Sequence, residues 1–325
     1  MKTALIADIG GTNARFELVN GIETIAKADY EAADFPNFAD AVQHFLNNEA
    51  DGERPKIAVF AIAAPIDGDI IHMTNSPWDR FSIEELKAQL ELDQLDMMND
   101  FKAVALGVLQ IEPEHIRTLH EGLPQLHKPK AIIGPGTGLG VASLIHDGIN
   151  YIAVEGEGGH VTMPAVTERE FKIFDRLKDK YHHISAERVC SGKGLINLYT
   201  ALCALEKKTP EPEIKAAEIA ARGIAKTCPI CEEAVTLMCA FLGRVAGNLA
   251  LILKAQGGVY IAGGIPQKWG DYLLRSPFLS EFFAKGRLSD AMQSFPIYQI
   301  NHPSIGMLGI RHQAMGALNT PASKL

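Results

Sequence analysis

Asp8-Ile9-Gly10-Gly11-Thr12-Asn13-Ala14-Arg15 closes an apolar run, Lys2 to Ile9, that carries Ala4-Leu5-Ile6-Ala7 at its centre. A short apolar run that stops at a glycine turn reads as a buried strand whose end presents backbone amides. Beyond the turn, Arg15 to Val19 alternates, Asn20-Gly21 reads as a two-residue hairpin turn, and Ile22 to Asp29 returns. The layout recurs. Ala131-Ile132-Ile133 ends in Gly134-Pro135-Gly136-Thr137-Gly138, Val141 to Ile145 follows, Asp147-Gly148 marks a hairpin, and Ile149 to Val154 comes back. In both copies the turn glycine stands ten residues beyond a loop glycine, Gly11 to Gly21 and Gly138 to Gly148. Two units of one order and spacing predict two related α/β lobes, each opening with an antiparallel meander.

Between and after these units the pattern predicts a helix over 38–47, a buried strand over 56–63, and a helix opened by Ser82 with Glu85 as its capping partner. A strand over 95–98 ends in Asn99-Asp100, helices cover 168–180 and 232–253, and a strand over 257–261 ends in Gly263-Gly264. The chain has 325 residues, enough for about two domains. Its net charge of -8, with no basic run, argues against general nucleic-acid binding. No run of about 18 apolar residues stands out, so no membrane-spanning helix is expected. The five cysteines are expected to be reduced thiols. Among them Cys228-Pro229-Ile230-Cys231 reads as the start of a helix, because no second ligand pair at zinc spacing accompanies it.

Three strand ends carry glycines: Gly10-Gly11, Gly136 with Gly138, and Gly263-Gly264. Such turns let a backbone approach a ligand closely and aim its amides at an anion, and Thr12 and Thr137 add hydroxyls. Three of them suit a nucleotide with several phosphates; each alone could be a simple turn. The spacing fits neither GxxxxGK[ST] nor GxGxxG, which disfavours a P-loop enzyme or a simple Rossmann dehydrogenase. Asp8 beside such amides fits a shared Mg²⁺, or else a turn-forming role. Asp100 could accept a proton from a substrate hydroxyl, or form an Asx turn followed by a helix N-cap at Phe101. Asn99, Glu157, His160 and Glu187 are side chains of the kind that read a polyhydroxylated molecule.

Together with Thr74-Asn75-Ser76-Pro77-Trp78, Gly136-Thr137-Gly138-Leu139-Gly140-Val141, Glu157-Gly158-Gly159-His160, Ser185-Ala186-Glu187-Arg188-Val189 and Ile261-Ala262-Gly263-Gly264-Ile265, the opening motif closely resembles the bacterial glucokinase family. The resemblance implies a two-lobed, actin-like (ribonuclease-H-like) α/β ATPase fold with an inter-domain cleft. It divides the chain into a small domain, 1–109 plus 298–318, and a large domain, 110–297. It implies a cytoplasmic homodimer that transfers phosphate from ATP to the 6-hydroxyl of D-glucose; a kinase for mannose, fructose or glucosamine is the alternative. Matched residue by residue, Asp100 resembles the catalytic base. Asn99, Asp100, Glu157, His160 and Glu187 resemble the sugar ligands. Ala7, Asp8, Ile9, Gly10, Gly11, Thr12, Thr137, Gly138, Gly263 and Gly264 resemble the nucleotide-binding positions, with Asp8 holding Mg²⁺ through a water. Two residues depart from the family pattern: Lys193, where proline is usual, and Ser304, where glycine is common. Val161-Thr162-Met163-Pro164 after Gly159-His160 lacks the cysteines of the related zinc-bearing kinases, so no zinc is expected.

Overall fold

The computed structural model describes residues 3–21, 23–73, 76–78 and 80–319; Ile22 of the first hairpin and Thr74-Asn75 of the quoted motif lie outside them. Along the chain run β1 (Ala4–Ile9), β2 (Asn13–Asn20), β3 (Glu23–Glu31), α1 (Phe38–Asn48), β4 (Ile57–Ile62), β5 (Ile70–His72), β6 (Arg80–Ser82), α2 (Ile83–Gln89), β7 (Gln94–Asn99) and α3 (Asp100–Gly107). There follow β8 (Ile116–His120), β9 (Lys130–Pro135), β10 (Leu139–His146), β11 (Tyr151–Gly156), α4 (Glu168–Lys178), α5 (Gly192–Leu205), α6 (Ala216–Ile224) and α7 (Pro229–Leu253). The last elements are β12 (Val259–Ile261), α8 (Gly264–Trp269), α9 (Tyr272–Arg275), α10 (Phe278–Phe283), α11 (Ser289–Met292), β13 (Ile297–Ile300) and α12 (Ile305–Asn319). Contacts group them into two units, Met1–Glu112 with His302–Leu325, and Pro113–Asn301.

The first unit is built on a sheet in the order β3-β2-β1-β4-β7. The meander β1-β2-β3 is antiparallel, whereas β1, β4 and β7 run parallel. β1 is buried on both faces, which is why it reads as a continuous apolar run rather than an alternation. Leu5, Ala7 and Ile9 enter a core built around Phe16, Phe38, Phe45 and Phe60. Phe16 stacks on Phe45 at 5.7 Å, and Phe38 meets Phe60 edge-on at 5.3 Å. α12 returns against β1, β4 and α3. Its approach to α3 depends on glycine: a Cβ at Gly309 would lie 1.8 Å from the Ala103 carbonyl oxygen.

The second unit repeats the plan in a sheet ordered β11-β10-β9-β12-β13-β8. Again the meander is antiparallel, and β12 lies parallel between β9 and β13. Both hairpin turns differ from the sequence expectation. Asn20 pairs with Glu23, so Gly21 (φ +63°) follows the last paired residue instead of closing the turn. In the second copy His146 pairs with Tyr151, and Asp147 Oδ1 accepts the amides of Ile149 at 2.7 Å and Asn150 at 2.8 Å. That Asx turn makes a four-residue loop where a two-residue one was expected.

α7 departs from expectation as well. It is 25 residues long and apolar enough to cross a membrane, with 67% of its most apolar window buried inside its own unit. It packs on α5, α6 and α10, and Arg244 in its middle is held by Glu170 at 2.8 Å and Glu281 at 2.6 Å. Its chemistry is that of a core helix whose one buried cation is fully paired. Cys228 is its N-cap and Pro229 its first residue, which places the CxxC motif at a helix start.

Candidate active site

Side-chain alternation along β1 sorts the first motif. Ala7 and Ile9 point into the aromatic core, so only their backbone is available to a ligand, contrary to any side-chain role there. Asp8 faces the other way, toward the start of α12, where a Cβ at Gly306 would lie 3.6 Å from its Oδ2. Burial pushes the Asp8 carboxyl above the ordinary carboxylate range; Arg15 pulls it back and Asp29 adds to the rise. A desolvated acid of this kind is short of positive charge. One carboxylate beside backbone amides matches how Mg²⁺ is held, together with phosphate oxygens and water.

The turn after β1 is ordered by its own backbone. Gly10 N–H donates to Asn13 O at 2.9 Å, and Thr12 O accepts Ala32 N–H at 2.8 Å. The loop borders a cavity of about 530 Å³ lined by Asp8, Gly10, Arg15, Asp29 and Tyr30 among others. Arg15 and Asp29 stand directly opposite in the β2–β3 register, and Arg15 donates from Nε and Nη2 to Asp29 at 2.8 and 3.1 Å. Its Nη1 donates to the Ser304 hydroxyl at 2.7 Å, so the unusual serine ties the start of α12 to this loop.

Asn99 and Asp100 sit at the matching end of the same sheet. The parallel register runs Ile9 to Ile62 to Asn99 across β1, β4 and β7. Two strand spacings separate the β1 turn from Asp100, roughly 10 Å along the sheet edge. Asn99 is the N-cap of α3: its Oδ1 accepts the amides of Phe101 at 2.8 Å and Lys102 at 3.3 Å, and its amide donates to Ala64 O at 3.4 Å. The helix therefore begins at Asp100, and its N-cap is Asn99, two residues before the Phe101 cap that the sequence suggested. Asp100 occupies the first helical position, where the dipole favours a carboxylate.

In the second unit, β9 and β12 run parallel with Ile133 opposite Ile261, so the Gly134–Gly138 turn and Gly263-Gly264 share one edge. Gly263 (φ +88°) precedes α8, and a Cβ there would lie 2.6 Å from Pro135 O; only glycine fits. Gly136 N–H donates to Gly138 O at 2.8 Å, which curls the Thr137 turn. Glu187 packs against this turn, its Oε2 accepting Leu139 N–H at 3.0 Å. Glu157 and His160 are exposed and face each other at 3.6 Å across a single 3-10 turn. That turn is seated on β10: a Cβ at Gly159 would lie 2.1 Å from Leu139 O. Lys193 is exposed in the first turn of α5, whose cap is the Ser191 hydroxyl accepting Gly194 N–H at 2.9 Å.

Of the residues singled out in the sequence, Asp8, Gly10, Gly11, Thr12, Asn99 and Asp100 gather at one sheet edge of the first unit. Thr137, Gly138, Glu157, His160, Glu187, Gly263 and Gly264 belong to the second. Sequence reading assigned no role to Arg15 or Asp29, and marked Ser304 only as a departure from the family pattern. The strand pairing that sets Arg15 against Asp29 was visible in principle, but its register depends on a turn read one residue off.

Two α/β units, each with an antiparallel meander feeding parallel strands that end in glycine turns, are the plan of the actin-like ATPase fold that sugar kinases share. A glucokinase from an Antarctic psychrotroph superposes with a TM-score of 0.85 at 31% identity, covering 98% of this chain and 100% of that one. A glucokinase from Balamuthia mandrillaris, solved in complex with glucose, shares the fold at TM-score 0.78 and 22% identity, over 96% of this chain and 93% of that one. A glucokinase of Paramagnetospirillum magneticum is 44% identical over 314 residues, 95% of this chain and 96% of that one. The glucokinase family model matches residues 5–317, and the chain belongs to that family.

Proposed function

We propose that this protein transfers the γ-phosphoryl group of ATP to the 6-hydroxyl of D-glucose. Support comes from the strand ends: the β1 glycine turn and Asp100 lie on one edge of three parallel strands, where ligands of open α/β sheets bind. In this reading Asn99, Asp100, Glu157, His160 and Glu187 are the sugar ligands. Asn99 contributes an N–H, since its oxygen is committed to the helix cap. The free lone pairs of Glu187 Oε1 accept from a hydroxyl while Oε2 keeps the Leu139 amide. Asp100 accepts the proton of the 6-hydroxyl as the new P–O bond forms.

The amides of Gly11 and Thr12, with Thr137 and Gly138, take up charge on the phosphates, Gly10 shapes the turn because its own N–H is held by Asn13 O, and Gly263-Gly264 lie against the adenosine. Ala7 and Ile9 contribute backbone only. Mg²⁺, where bound, is held near Asp8 through water and neutralises phosphate charge. The two units correspond in this reading to the small and large domains, and the active form is a cytoplasmic homodimer, which light scattering would check.

The test is ADP release coupled to a reporter enzyme over a panel of glucose, mannose, fructose and glucosamine with ATP and Mg²⁺. Glucose is expected to give the highest kcat/KM, with product phosphorylated at O6 by NMR. A higher kcat/KM on another hexose would replace glucose as the substrate, and ATP turnover indifferent to sugar would remove the kinase reading.

A further inference from the structure

We infer that the start of α7 is a thiol–disulfide exchange site, with Cys228 as the attacking sulfur and Cys231 as the resolving one. The two cysteines stand on one turn, at the N-cap and third helical positions, with Pro229 between them. Helix geometry puts their Cα atoms about 5 Å apart, inside the roughly 4.4–6.8 Å range that a disulfide spans. They differ in access. Cys228 is partly exposed, flanked by exposed Lys226, Thr227 and Pro229, whereas Cys231 is fully buried beneath it. One reachable sulfur directly over one sheltered sulfur is the arrangement in which a mixed disulfide forms outside and is resolved from within.

The surroundings favour the same division. Cys228 makes no capping hydrogen bond, but its sulfur lies in the field of the Ile230 and Cys231 amides. Burial raises its thiol pKa; the Cys231 amide and thiol, the Ile230 amide and Arg222 together outweigh burial and bring it below the ordinary thiol value. Cys231 is pushed up to about 12, by burial first and then by its contact with Cys228 and the charge there. Converting Cys228 to a disulfide removes the second cause, so the resolving thiol ionises more readily once it is needed. A third thiol, Cys203 on α5, is buried and paired with Tyr199. The backbone beneath the pair is closely packed: a Cβ at Gly223 of α6 would lie 2.5 Å from Cys231 O.

The steps balance. The Cys228 thiolate attacks R–S–S–R, forming Cys228–S–S–R and releasing RS⁻, which takes up a proton. Cys231 gives its proton to water and attacks the Cys228 sulfur, releasing the second RS⁻. The protein dithiol is oxidised by two electrons, and one small-molecule disulfide is reduced to two thiols. None of these sulfurs belongs to the proposed sugar or nucleotide positions.

The test treats the native, full chain with glutathione disulfide at neutral pH and maps products by intact mass and peptide mass spectrometry. The expected product is an intramolecular Cys228–Cys231 disulfide, reversed by dithiothreitol. Cys231→Ala, chosen because alanine suits the buried seat, should stop at a glutathione adduct on Cys228. Cys228→Ser should give neither product and keep wild-type glucose phosphorylation. No product from native wild type under conditions that oxidise the urea-unfolded chain would overturn the proposal, as would a disulfide mapped to Cys203. The wild-type map decides the matter even if a variant does not fold, and it does so independently of which sugar is phosphorylated.

Discussion

The Oε2 atom of Glu187 occupies the space that a side chain at Gly138 would need: a Cβ there would lie 2.6 Å from it. The same oxygen accepts the Leu139 amide. A residue assigned to the sugar and a residue assigned to the phosphates therefore share one contact, so a side chain added at position 138 must move the carboxylate.

Gly138→Ala should displace the Glu187 carboxylate. Overpacking of this kind costs about 1–3 kcal/mol, so the melting temperature should fall modestly while the KM for glucose rises about tenfold or more. A variant that melts lower but keeps its KM for glucose would show that Glu187 does not reach the sugar.

Asp100→Asn keeps the size of the side chain and leaves the Asn99 cap of α3 in place. Removal of a general base costs about 10²–10⁴-fold in rate, so kcat should fall within that range while glucose affinity, read by calorimetry, changes little. Turnover within a few-fold of wild type would take Asp100 out of the chemistry.

Asp8→Asn should separate stability from function. A carboxyl raised by burial contributes stability when protonated, and loses it as pH rises through its folded pKa. At neutral pH the charged Asp8 is a burden on the ligand-free protein that asparagine lacks. The variant should melt a few degrees higher than wild type at pH 7, with the gap closing in acid, and should need more Mg²⁺ for half-maximal activity. A lower melting temperature at pH 7 would contradict this.

The Glu170–Arg244 pair predicts the opposite dependence. Burial raises the Glu170 pKa, but the Arg244 hydrogen bonds and the Val166 amide overcome it and hold the carboxyl below its ordinary 4.5. Its contribution is present above the unfolded value and is lost as pH falls through the folded one. Wild type should lose stability more steeply below about pH 4.5 than Glu170→Gln does. Arg244→Ala, which leaves a buried carboxylate unpaired, should destabilise by about 3–5 kcal/mol in denaturant melts.

Gly309→Ala drives a methyl group into the Ala103 carbonyl. Since that oxygen belongs to the backbone of α3, the helices must separate. The expected loss is at least about 1–3 kcal/mol, together with reduced kcat, because α3 carries Asp100. A wild-type melting curve would mean that α12 does not pack there as described.

Much of the fold was legible because its elements are specified locally. β1 announces itself by a run buried on both faces, Ser82 by the hydroxyl that accepts Glu85 N–H at 3.1 Å, and α7 by Pro229 at its start. The duplicated meander was readable for the same reason, since strand, glycine turn and strand recur at fixed spacing. The hairpin turns were misread because register is set by the buried face of the sheet together with the whole turn geometry, and a residue pair alone gives neither the loop length nor its position.

By itself, the sequence determined which residue types stand at each strand end and the family to which the chain belongs. Only tertiary structure decided what those residues do to one another. Ala7 and Ile9 turned inward through alternation along β1, Asn99 spent its oxygen on a helix cap, and Arg15 found Asp29 and Ser304. Gly138 proved to be small for the sake of Glu187, which lies 49 residues further along the chain. A side chain's type is written at its own position. Its direction and partners are set by packing against chain segments distant in sequence, which no local pattern encodes.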